Sequence, residues 1–84
     1  MAEEREVGKV THYFSKISVS VIELIDDLKV GDIIHIKGET TDFTQPVDSM
    51  QIEHNKVEEA RVGQSIGMKV MGPVREHDKV FVVE

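Results

Sequence analysis

Along most of the chain, apolar residues fall at every second position in short runs, with turn-forming residues between the runs. Ile34 and Ile36 alternate with Ile33, His35 and Lys37, and Ile66, Met68 and Val70 alternate with Gly67 and Lys69. A two-residue period is that of a half-buried β-strand, whose side chains point to opposite faces in turn. Strand character begins at Val7: Val10 and His12 alternate with Lys9 and Thr11, and Tyr13-Phe14 lead into a polar Ser15-Lys16 turn. Ile17, Val19 and Val21 then share one face and Ile22 and Leu24 the other, and Lys79 to Val83 supplies a last strand. No stretch sustains the helical period, since the best of them, Val57 to Arg61, would barely complete one turn. The pattern predicts an all-β fold of about six strands. Strands so short leave many edges, and winding the sheet into a single closed or nearly closed β-barrel hides them. The core is expected at Ile34, Ile36, Ile66, Met68 and Val80.

The interruptions are informative too. Gly31 and Gly63 stand where the chain must turn, and a tight turn often needs the positive φ that glycine adopts freely. Gly67, inside a strand, marks a bulge, a bend or a close backbone approach. From Phe43 to Ile52 the alternation changes phase. Phe43, Gln45, Val47 and Ser49 share one parity, whereas Met50 and Ile52 take the other. A one-residue slip is what a β-bulge or a corner produces, and Pro46, which cannot donate to a ladder, supports a bend near residues 46–50. Residues 1–5 are charged and aperiodic and read as a flexible acidic tail before a single barrel domain over 6–84.

Composition narrows the function classes. Eighty-four residues make one domain. The absence of cysteine rules out disulfides and thiolate metal sites and fits a reducing, cytoplasmic location. The opening Met1 to Glu6 is acidic with no apolar stretch behind it, unlike a secretory leader, and the apolar runs are far shorter than a membrane span. Sixteen Asp and Glu against ten Lys and Arg give a net charge of −6, which disfavours broad non-specific nucleic-acid binding and leaves only a local basic face open.

Catalytic chemistry finds no foothold. None of the six glycines precedes a Lys-Ser or Lys-Thr pair, so no phosphate-cradling loop and no nucleotide binding are expected. His12, His35, His54 and His77 have no ligand spacing; the compact Glu76-His77-Asp78 set reads as a solvated loop, and Asp26-Asp27 and Glu58-Glu59 as solvated turn residues. Met50, Met68 and Met71 read as core filler. The serines lie in no nucleophile-elbow context. A non-enzyme without metal or cofactor is expected, and what remains is a surface. His35 and Lys37 share the face of their strand opposite Ile34 and Ile36, Lys69 lies opposite an apolar face, and Lys9 and Lys16 flank the first hairpin. If these five converge they form a basic patch for RNA or a partner; the plainer reading is that lysines decorate outward faces and blunt edges.

Three segments in order carry a family resemblance: Lys29-Val30-Gly31-Asp32-Ile33, Val47-Asp48-Ser49-Met50-Gln51-Ile52, and Val57 to Met68 with its acidic-Ala-x-x-Gly-x-x-x-Gly pattern. Together they resemble the β-barrel second domain of translation GTPases of the elongation factor Tu type. With Lys37 to Phe43 added, the run looks closer to small free-standing elongation-factor-like proteins. It also resembles the C-terminal barrel of collagenase-like peptidases, some of whose relatives modify tRNA. The resemblance implies a non-catalytic barrel that docks on RNA or a ribonucleoprotein of the translation or tRNA-modification machinery. Its alternative is a protein-interaction barrel working beside a collagenase-like peptidase. The aminoacyl-end pocket of the translation barrel does not carry over, because Gln64 and Met71 stand where that family has charged residues.

Overall fold

The computed structural model describes residues 3–84, and no helix occurs among them. The strands in order are β1 (Glu4–Phe14), β2 (Val19–Leu24), β3 (Leu28–Lys29), β4 (Ile33–Lys37), β5 (Asp42–Pro46), β6 (Met50–Ile52), β7 (Asn55–Val57), β8 (Glu59–Ala60), β9 (Ser65–Lys69) and β10 (Lys79–Val83). Eight of them form one sheet in the order β5-β4-β10-β1-β2-β9-β6-β7, and β3 pairs with β8 in a separate two-stranded ribbon. The six expected strands all appear, the fourth in two pieces (β5 and β6), beside three short strands that the pattern did not show, β3, β7 and β8. Glu4 and Arg5, placed in the tail by sequence, belong to β1, while Met1 and Ala2 lie outside the described residues. Ile17 falls in the turn before β2 and is 61% exposed.

The alternating positions fill one contiguous core. Ile34, Ile36, Ile66, Met68 and Val80 are buried as expected, together with Val7, Val10, Ile22, Leu24 and Val82. β1 holds the sheet's centre by bending: its register slips between Glu6 and Gly8 against β10 and between Val10 and His12 against β2. The slips place both Val7 and Val10, residues of opposite parity, in the core. Of the bulge, bend or close backbone approach that Gly67 suggested, the close approach occurs at Gly8 instead. A Cβ there would lie 2.6 Å from the Glu23 carbonyl oxygen, whereas one at Gly67 would meet only a Val19 methyl at 3.7 Å. Gly31 and Gly63 do take positive φ, at 100° and 88°.

The long 43–52 segment breaks where the phase change put it. β5 ends at Pro46, and β6 starts at Met50. Its first half pairs with β4 and its second with β7 and β9, so this one bent segment touches both ends of the sheet order. Of the closed or nearly closed barrel expected, the all-β sheet is present, and hydrogen bonds do not close it: the terminal strands β5 and β7 do not pair with each other. Beside the break, the buried Gln45 side chain stands in for a ladder. Its Nε2 donates to the Lys69 carbonyl at 3.1 Å, and its Oε1 accepts from the Met71 N–H at 2.7 Å. Held there only by its backbone, Met71 extends into solvent at 78% exposure rather than filling the core.

Candidate functional site

Strand register decides which surface charges meet. Lys37 of β4 lies opposite Lys79 of β10, and Lys79 lies opposite Lys9 of β1. All three are exposed, because Ile36, Val80 and Val10 beside them take the core side. Neighbouring strands run roughly 4.8 Å apart. The three ammonium groups therefore form a short row across the outer face, capped by Asp42 opposite Lys37 and by Glu23 opposite Lys9. Among the described residues, every ion pair uses Arg5, His12 or His35, and none uses a lysine.

One end of the row is a cleft of about 440 Å³ between the turns at 38–40 and 75–77, with Lys37, Lys79 and Arg75 in its lining. The two turns are fixed to each other. Asp78, expected in a solvated loop, is instead 5% exposed. Its carboxylate accepts the Arg75 N–H at 2.9 Å and fills the space a Cβ on residue 38 would need, which is why residue 38 is glycine. His77 holds a positive φ of 76° at the tip of that turn, and its N–H donates to the Val10 carbonyl at 2.7 Å.

The row next to the lysines differs in character. His35 of β4 lies opposite Phe81 of β10, which lies opposite Glu6 of β1. His35 Nδ1 is 2.5 Å from Glu4 Oε2, and its Nε2 is 2.5 Å from Asp42 Oδ1. A neutral imidazole donates from one nitrogen only, so two carboxylate partners select the imidazolium. Its pKa is raised above the ordinary histidine value, first by the Asp42 hydrogen bond and then by Glu4, while His35 lowers that of Asp42. His35 is thus a clamp between β1, β4 and β5.

Of the five residues singled out from sequence, the fold brings Lys9 and Lys37 together through Lys79 and places His35 beside them. Lys16 and Lys69 do not join. Lys69 lies opposite Val19, and Lys16 is in the turn after Phe14, at the hairpin tip. That tip lies on the order of 15 Å along β1 from Lys9 at strand rise. Lys79 is the member sequence reasoning missed. Its parity against Val80 puts it outward, but only the β1–β10–β4 register reveals its neighbours.

No family model matches the chain. By sequence it is homologous to an uncharacterised protease of Methanocaldococcus jannaschii, at 45% identity over 80 residues, 94% of this chain and 20% of that protein. It also matches a collagenase of Porphyromonas gingivalis at 39% identity over 77 residues, 89% of this chain and 21% of that protein. The chain thus spans about a fifth of the length of these relatives. Among solved structures it superposes on the C-terminal domain of a Geobacillus thermoleovorans protein assigned to the U32 peptidases. The TM-score is 0.86 at 23% identity, covering 90% of this chain and 96% of that one. The two chains share one fold.

With the fold placed, the second cleft can be compared. It measures about 580 Å³ and lies at the opposite end, with Arg5, Lys29 and Arg61 and the carboxylates of Asp27, Asp32, Glu59 and Glu84 in its lining. Its charges are mixed. Among the described residues no group of three or more His, Cys, Asp or Glu is placed to hold a metal ion.

Proposed function

We propose that this chain is a non-catalytic interaction module that works with an enzyme of the collagenase-like peptidase type. The observation that carries this is the pairing of near-complete coverage of this chain with about one fifth coverage of its protease and collagenase relatives. The match to a U32 C-terminal domain supports the same reading. We read the sheet as wound into a barrel whose seam is bridged by Gln45, working in the cytoplasm. The test is affinity capture from native lysate with and without ribonuclease. Capture of a collagenase-like peptidase that survives ribonuclease is the expected result. Capture of RNA-dependent components alone would overturn it.

A second reading has its own observation. The row of Lys9, Lys79 and Lys37 supports docking on RNA or a ribonucleoprotein, in line with the likeness to the translation barrel. It narrows the basic surface to Lys9 and Lys37 with Lys79, and leaves Lys16 and Lys69 outside. His35 contributes as the clamp beside it.

A further inference from the structure

The outer face of β1, β10 and β4 combines two features with separate physical meanings. The first is the lysine row. Like charges directly opposite on neighbouring strands repel and destabilise the sheet. Here Lys79 has lysine on both sides, and no lysine is in an ion pair among the described residues, although acidic residues outnumber basic ones. The acids around the row are placed otherwise: Asp42 and Glu4 both turn to His35, Glu23 lies opposite Lys9 at the β2 edge, and Glu6 lies opposite Phe81 rather than opposite a lysine. Arg75 in the adjoining cleft extends the cationic line beyond the row.

The second feature is Phe81. It lies between buried Val80 and Val82, so its ring is on the outer face, and it is only half-buried. The partly buried apolar residues packed on the core are Tyr13, Phe43, Ile52 and Val57, and Phe81 is not one of them. An aromatic ring on the solvent side of a strand, two residues from the central lysine of the row, serves no packing purpose in the core. Cations that follow a backbone beside an aromatic that receives a base are the two parts of a single-strand binding surface. A lone carboxylate or a simple polyanion would use the lysines and ignore the ring.

We propose that the outer face of β1, β10 and β4 binds a short stretch of single-stranded nucleic acid, with Lys9, Lys79 and Lys37 along its phosphates and Phe81 under a base. This rests on the second reading above and gives it a site and a ligand form. Three lysine–phosphate contacts predict a slope of about −2 for log K against log salt on single strands. Binding is therefore confined to low ionic strength.

The experiment is fluorescence anisotropy of the full chain with a labelled single-stranded RNA of about twelve nucleotides, long enough for one such site. Inorganic polyphosphate serves as a competitor without bases. Lys79→Glu is expected to abolish binding or flatten the salt slope by about 0.7 or more. Phe81→Ala is expected to weaken binding at least about fivefold at every salt with the slope unchanged. Phe81→Leu, which keeps the apolar cover, repeats the test if the alanine variant unfolds. Lys56→Glu on β7 is the control and should change little. RNA binding untouched by Lys79→Glu and Phe81→Leu would overturn the site while leaving the RNA reading in place. No RNA binding at the lowest salt would overturn both. Polyphosphate binding as tight as RNA, with Phe81 irrelevant, would overturn the nucleic-acid assignment in favour of a plain anion surface.

Discussion

The two ends of this small sheet use positive charge in opposite ways. At the end where the termini meet, Arg5 is held between Asp26 at 2.5 Å and Glu84 at 2.9 Å, and Glu3 and Glu84 exchange backbone hydrogen bonds. The guanidinium fork satisfies two carboxylates at once and ties β1 to the C-terminus and to the turn after β2. At the other end, Lys9, Lys79 and Lys37 stand side by side, and among the described residues none of them is in an ion pair. One end spends its cations on the fold, and the other leaves them to solvent or to a ligand. Their responses to substitution should therefore differ in sign, not only in size.

The largest expected effect removes the platform under the row. Ile36, fully buried beside Lys37, packs in the common core with Ile34 and Ile66. Ile36→Ala should cost about 2 to 5 kcal/mol by lost burial and the cavity left behind. Chemical denaturation should show both ends melting together, since small domains unfold cooperatively. Separate transitions for the Arg5 end and the lysine end would break the picture of one shared core.

Next comes the wall of the lysine-end cleft. Gly38→Ala places a methyl group where the Asp78 carboxylate sits, and that buried side chain, held by the Arg75 N–H, cannot move aside freely. Overpacking of this kind costs about 1 to 3 kcal/mol. Gly67→Ala has ordinary contact distance to Val19 and should be tolerated far better. Thermal melts of the two variants check the contrast.

These two glycines also show where sequence stops being legible. The core was readable because alternation alone assigns Ile34, Ile36, Ile66, Met68 and Val80 to one side, and the bend after Pro46 was readable from the slip in parity. What was not readable depends on pairing between distant segments. Gly67 looked like the special glycine, yet the crowding is at Gly8 and Gly38, set by Glu23 and Asp78 from other parts of the chain. Asp78 looked like a solvated loop residue and is buried, because its carboxylate caps a turn packed on another turn. Met71 looked like core filler, but its backbone is held by Gln45 with the side chain outward. The ribbon of β3 and β8, two residues each, is too short to carry a period. The basic patch was half visible: parity put Lys9 and Lys37 outward, and register had to supply Lys79 between them.

The clamp at His35 gives the next smaller effect and a pH signature. The folded pKa of His35 lies above its ordinary 6.5, so its contribution is complete below about 6.5 and is lost as pH rises through the raised value. Asp42 has a folded pKa below its ordinary 3.8, so its contribution is present above that value and is lost as pH falls through the lowered one. The clamp is therefore strongest between those two ordinary values, with Glu4 and Asp42 facing the ring from β1 and β5. Denaturation midpoints should fall from mildly acidic to alkaline pH in the parent chain, and His35→Gln should flatten that limb. An NMR titration placing His35 at or below 6.5 would remove the clamp.

The smallest effects test the contrast most sharply because they differ in sign. Arg5→Met removes a cation that two carboxylates depend on, and the parent loses the same stabilisation when salt screens the pairs; the variant should melt lower at low salt and converge with the parent at high salt. Lys79→Glu should do the reverse. It replaces a lysine flanked by Lys9 and Lys37 with a carboxylate that can pair with either, and cross-strand charge pairs are worth about 0.2 to 1 kcal/mol each. The variant is therefore expected to be slightly more stable than the parent at low salt, with the gain fading as ionic strength rises. The same change is the one expected to abolish nucleic-acid binding. A substitution that improves the fold while removing a surface activity is the mark of residues kept for a ligand rather than for folding. Melts and binding curves on the same Lys79→Glu preparation decide it. A drop in stability would mean that the row is held by contacts the fold needs, and the two ends would then no longer differ in kind.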